Sequence, residues 1–296
     1  MPTSTRLRTG LMVGSALVAA ATATVFFAQQ PRPLSLVLVD RDGRKTPIGF
    51  LPAHTFAPRI SPDGKRVAYD AEDGGVWIAE LSRDGANLSS PRRIGRVSGD
   101  HYPMWSAAGD QIVITSDEAN QQALYIERAD GTGTAERLAT GRAPESWSAP
   151  NQMLSFITLS NYYSIWTYSL RDKKAVALID TPGVTQHSSR FSPDGKWIAY
   201  TSVETGRFEV FVQPIPRTGA KFQITKQGGG HALWSPDGKE LFFDNNQQLF
   251  AVSVQTNGTF SSGTPVALPI RGFIQGDARR QYDIMPDGKQ FLMMFP

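Results

Sequence analysis

The chain has 296 residues, 40% hydrophobic and 19% charged, with 27 Gly, 20 Pro and no Cys. That composition suits a folded, turn-rich chain and excludes disulfides, Cys-ligated zinc and thiol catalysis. The formal charge of +3 comes entirely from Arg6, Arg8 and Arg32, because residues 34–296 carry 27 basic and 27 acidic side chains; no basic stripe is on offer for a phosphate backbone, and nucleic-acid binding is not expected.

In chain order, the first element is a hydrophobic one. No residue between Arg8 and Arg32 is charged, and residues 11–28 form an apolar stretch of 18 behind Arg6 and Arg8. As a helix it would reach about 27 Å, just enough to cross the hydrocarbon core. Ala21-Thr-Ala23 also offers a small-residue cleavage site after a short apolar run. Residues 1–33 are therefore expected to be a signal anchor or a cleaved signal peptide, ending in the Pro-rich spacer Gln29-Gln-Pro-Arg-Pro33. On either reading the basic end stays cytoplasmic and the remainder is exported, giving an extracytoplasmic (periplasmic) protein that is membrane-anchored by residues 11–28 or secreted.

A repeated phrase follows. Its copies are Ile60-Ser-Pro-Asp-Gly-Lys-Arg-Val-Ala-Tyr69, Trp105-Ser-Ala-Ala-Gly-Asp-Gln-Ile-Val-Ile114, Trp147-Ser-Ala-Pro-Asn-Gln-Met-Leu-Ser-Phe156, Phe191-Ser-Pro-Asp-Gly-Lys-Trp-Ile-Ala-Tyr200, Trp234-Ser-Pro-Asp-Gly-Lys-Glu-Leu-Phe-Phe243 and Ile284-Met-Pro-Asp-Gly-Lys-Gln-Phe-Leu-Met293. Their first residues lie 45, 42, 44, 43 and 50 positions apart, the length of one four-stranded propeller blade. Proline presets φ, Asp tolerates the next turn position and Gly supplies a positive φ, so the phrase is a hairpin between strands a and b. β-Branched and aromatic runs such as Val76-Trp-Ile-Ala79 and Ile165-Trp-Thr-Tyr168 then make strand c, and weaker runs such as Arg92-Arg-Ile94 make strand d.

The sixth copy stops after two strands, at Pro296. Its missing half is expected at the other end, where Leu34-Ser-Leu-Val-Leu-Val-Asp-Arg-Asp-Gly43 and residues 44–51 supply strands c and d. The predicted fold is all-β: a six-bladed propeller of four-stranded blades over residues 34–296, closed by the N-terminal hairpin and preceded by one hydrophobic helix.

The repeated phrase, followed by an Ile-Trp-like strand, resembles the WD-repeat-like propeller units of the TolB family over residues 34–296. It is most similar to the extracytoplasmic propeller of bacterial membrane serine/threonine kinases, although no kinase motif is present here. The second and third copies depart from the pattern, with Ala107-Ala-Gly109 and Ala149-Pro-Asn151 in place of Pro-Asp-Gly. The resemblance extends to the propeller of TolB and not to its extra N-terminal α/β domain.

The d–a connections lead onto the innermost strand, and all four histidines are expected in them. Counted from the turn Ser, His54 stands at −7, His101 and His187 at −5, and His231 at −4; Arg142 stands at −6, and Arg279 and Arg280 at −6 and −5 of Met285. These seven residues are the candidate ligand-binding set at the channel mouth, suited to an anionic ligand or an acidic peptide. No catalytic motif, metal site or cofactor is predicted. The expected function is a non-enzymatic binding or scaffolding propeller that engages a protein or cell-envelope component through the face carrying the b–c and d–a loops. A metal-dependent lyase or hydrolase acting on acidic polysaccharide, and a sensory input domain, stand as alternatives.

Overall fold

The computed structural model describes residues 33–51, 55–71, 73–82, 87–89, 91–95, 99–118, 121–276 and 278–296. The proposed anchor or signal segment lies outside them, as does His54. No helix among the described residues is long and apolar enough to cross a membrane.

Six antiparallel sheets form the six blades of a propeller. Strand a, the innermost, is Phe56–Ile60, Asp100–Trp105, Arg142–Ser148, Gln186–Phe191, Gly230–Trp234 and Tyr282–Ile284 in blades 1 to 6. In blade 6, strands a and b (Gln290–Phe295) come from the chain's end, while c (Leu34–Asp40) and d (Lys45–Leu51) come from its beginning. The pairing runs Ser35 with Phe295 through Asp40 with Gln290. Blade 5 carries one extra short strand, Ser261–Ser262, beyond the usual four.

The core is divided accordingly. Six clusters of buried apolar side chains each lie between two neighbouring blades, such as Val76, Ile78, Trp105 and Ile112 between blades 1 and 2. The cluster of Leu36, Leu38, Leu292, Ile60, Val67 and Tyr69 lies between blades 6 and 1. Each blade therefore buries both faces against its neighbours and depends on them for stability.

The repeated phrase works as a turn device. In the full copies the hydroxyls of Ser61, Ser192 and Ser235 donate to Asp63, Asp194 and Asp237 at 2.5, 2.6 and 2.6 Å. Each Asp in turn accepts the amide of the following Lys at 3.1 Å. The second copy, lacking that Asp, uses Asp110, which accepts the Ser106 hydroxyl at 2.9 Å. In the third, Asn151 donates to Ser148 Oγ at 3.1 Å and to the Gly195 carbonyl at 2.7 Å, tying blade 3 to blade 4.

A second repeated device is invisible in the phrase itself. Strand a of blades 1 to 5 holds one non-glycine residue in the left-handed region: Ala57 (φ 50°), Tyr102 (57°), Ala143 (44°), Ser188 (56°) and His231 (57°). The a–b register shifts at each of these places, the mark of a β-bulge. Such a conformation costs about 1–3 kcal/mol per residue and persists only when its surroundings hold it. A side chain from the preceding blade does so by accepting the bulge amide: Gln281 for Ala57 at 2.8 Å, Asp70 for Tyr102 at 3.4 Å, Thr115 for Ala143 at 2.8 Å, Glu145 for Ser188, and Thr201 for His231 at 3.1 Å.

Candidate functional site

The bulges decide where the candidate residues go. His101, His187 and His231 were expected in connecting loops, but they lie within strand a itself, and Arg142 is its first residue in blade 3. The bulged register carries pairing beyond the point where the hairpin pattern alone would end it. His101 still pairs with Thr115, and His187 with Thr201.

Asp70, buried on strand b of blade 1, organises the charged half of the site. His101 Nδ1 lies 3.2 Å from Asp70 Oδ1, and Arg279 Nη1 lies 3.6 Å from Asp70 Oδ2. The hydrogen bond to Asp70 raises the pKa of His101, with a further contribution from the charge of Asp117. Tyr102 joins the group. Its phenol oxygen accepts hydrogen bonds from Arg279 Nη2 at 2.6 Å and Arg142 Nη2 at 3.1 Å. The Arg279 guanidinium also stands 4.1 Å from the Tyr102 ring centroid, and Arg142 stands 5.8 Å from that of Tyr163. Arg142 has no ion pair with a carboxylate among the described residues, so the cluster keeps a cationic excess.

The other half is built on two buried imidazoles. His187 and His231 are buried, with ring centroids 6.0 Å apart. Burial, with the neighbouring His231, lowers the pKa of His187 to about 3, so it is uncharged at physiological pH. His187 Nδ1 meets Ser188 Oγ at 2.8 Å. His231 Nδ1 lies 2.9 Å from Asp244 Oδ1, and Gln275 Nε2 donates to the same oxygen at 3.1 Å. Both rings border a cleft of about 490 Å³ that Phe208, Gly228 and Asn246 also line. Tyr163 links the two halves, edge-on to His187 at 6.4 Å.

The seven expected residues therefore separate. Arg142 and Arg279 meet on Tyr102, beside His101, while His187 and His231 form the buried pair. Arg280 turns inward, donating to the Tyr282 carbonyl at 2.7 Å and to Asp283 Oδ1 at 3.2 Å. His54 lies outside the described residues. Sequence reasoning missed Asp70, Tyr102, Asp244 and Gln275. A signal for two of these exists: nine residues after the turn Ser, where strand b is otherwise apolar, stand Asp70, Thr115, Thr201 and Asp244. A polar residue at that position reaches the bulge.

No family model matches the chain. Among solved structures, a putative TolB from Agrobacterium tumefaciens superposes with a TM-score of 0.68 at 18% identity, covering 89% of this chain and 99% of the other. The chain is similar in fold to TolB proteins. TolB from Acinetobacter baumannii gives a TM-score of 0.54 at 17% identity, with 81% of this chain and 63% of that one covered. An oligogalacturonate lyase in complex with manganese also matches, with a TM-score of 0.53 at 14% identity over 85% of this chain and 79% of the other. One propeller fold thus accommodates proteins of different function.

Proposed function

We propose that this protein is a non-enzymatic, extracytoplasmic binding propeller that engages an acidic group of a protein or cell-envelope partner at the loop-face mouth. The convergence of Arg142 and Arg279 on the Tyr102 hydroxyl carries this reading. Two guanidinium groups are held there by a phenol, and among the described residues Asp70 is the single carboxylate within ion-pair distance of either. Guanidinium forks match carboxylate geometry, and partial desolvation strengthens such a contact. Export rests on the apolar residues 11–28 behind Arg6 and Arg8.

The test is an envelope pull-down with the full chain against the double variant Arg142→Gln/Arg279→Gln. Loss of a captured partner, with an unchanged melting temperature, is the expected result. An identical capture profile overturns the reading.

A second reading is favoured by one specific observation. His231 is oriented by Asp244 beside the neutral His187, and a carboxylate-oriented imidazole is how proteins prepare a metal ligand. A metal-dependent lyase or hydrolase acting on acidic polysaccharide would use this half of the site. Among the described residues, no group of three or more His, Asp or Glu is placed to hold a metal ion. Metal analysis after dialysis separates the two readings: a stoichiometric divalent ion favours the enzyme.

A further inference from the structure

The turn face, which the repeat pattern assigns to folding, holds a chemistry of its own. Two positions before each turn Ser, or before Met285 in blade 6, stand Arg59, Met104, Ser146, Arg190, Leu233 and Asp283. All six border one cavity of about 370 Å³, together with turn residues of every blade. The cavity is therefore the axial channel at its turn-face end. Its collar is Pro62, Pro150, Pro193, Pro236, Pro286 and Ala107, with the half-buried Trp147 beside them.

Arg59 and Arg190 also border the small cavity of about 40 Å³ on the far side, so their side chains partition the channel. They belong to blades 1 and 4, opposite members of a six-membered ring. Neither makes an ion pair among the described residues. Arg59 donates to the carbonyls of Pro58 and Arg280 at 2.8 and 3.0 Å, and the side chain of Arg190 has no hydrogen bond or ion pair among the described residues.

The nearby carboxyl groups are committed elsewhere. Asp283 accepts from Arg280 at 3.2 Å and from the Ile60 amide at 3.0 Å. Glu145 accepts the amides of Ser188 and Ser189. Burial, and then the charge of Arg280, lower the pKa of Arg59 to about 9, against the opposing charges of Asp283 and Glu145. An enclosed cation without a partner is unfavourable, and a bound oxyanion relieves it.

We infer that the turn-face mouth is an oxyanion site, in which the carboxylate or phosphate of a small organic ligand sits between Arg59 and Arg190 and its apolar body packs against the proline collar. A cavity of this size is at the small end of ligand pockets. Apolar walls with a few convergent polar groups are what such pockets present. The site opens on the turn face, with the Tyr102 cluster beyond the Arg59 and Arg190 partition, and it does not rest on that reading.

The experiment uses the full chain with two probes, benzoate and phenyl phosphate, which share the ring and differ in the oxyanion. Melting temperature and tryptophan fluorescence are read together, because Trp105, Trp147 and Trp234 border the mouth. A saturable rise in melting temperature with either probe is expected, and the stronger probe identifies the preferred oxyanion. Arg190→Gln should weaken that binding at least tenfold, while melting at or above the wild type when no probe is present. A wild-type chain that responds to neither probe overturns the inference, as does an Arg190→Gln variant that binds as tightly. Should that variant not fold, Arg59→Gln answers the same question.

Discussion

His231 Nδ1 and Asp244 Oδ1 stand 2.9 Å apart with both side chains buried, joining strand a to strand b inside blade 5. Asp244 also accepts from Gln275, and the His231 carbonyl accepts the Tyr282 hydroxyl of blade 6 at 2.8 Å. Four segments of chain therefore meet at this one pair.

Asp244→Ala should cost about 3 kcal/mol, because it leaves the buried imidazole and the Gln275 amide without their acceptor. Urea denaturation measures it. A loss below about 1 kcal/mol would mean that the pair is not what holds this joint.

Stability should depend on pH through two groups of opposite sign. Burial raises the carboxyl of Glu145 from 4.5 to about 7. Across that window the folded state keeps a proton that the unfolded chain has released, so this contribution falls as pH rises and is lost above about 7. His187 is lowered from 6.5 to about 3. There the unfolded chain takes up a proton that the fold refuses, so this contribution falls as pH drops below 6.5. Melting curves between pH 4 and 8 should show Glu145→Gln removing the first slope and His187→Gln the second. Curves for either variant parallel to the wild type would contradict the assignment.

Deleting residues 34–51 should abolish cooperative unfolding. That hairpin contributes Leu36, Val37, Leu38 and Val39, each at most 3% exposed, and its removal strips blade 6 of two strands. It also opens the apolar cluster shared with blade 1. A sharp melting transition at the wild-type temperature, by calorimetry, would show that the remaining blades stand alone.

Much of the architecture was legible in the chain. The spacing of the Ser-Pro-Asp-Gly copies sets the number of blades, because each copy carries its own turn chemistry and local residues suffice to make it. The truncated sixth copy likewise points to strands 34–40 and 45–51 as partners. The site was legible only as a set of positions. Counting back from each turn Ser, or from Met285, finds His54, His101, Arg142, His187, His231, Arg279 and Arg280, but it treats them as equivalent.

What separated them is tertiary. Whether His101 or His187 is charged depends on what lies across the blade boundary, Asp70 beside the one and a second buried imidazole beside the other, while Asp244 orients His231 from within blade 5. None of these relations is set by spacing, since each needs the inner strand to bulge and a side chain from another strand to meet it. The sequence by itself determined the blades, through turns whose chemistry is local. Only the folded ring decided which cations stay without a carboxylate partner, because desolvation and charge pairing depend on neighbours 13 to 44 residues away, or, for Arg279 and Asp70, at opposite ends of the chain.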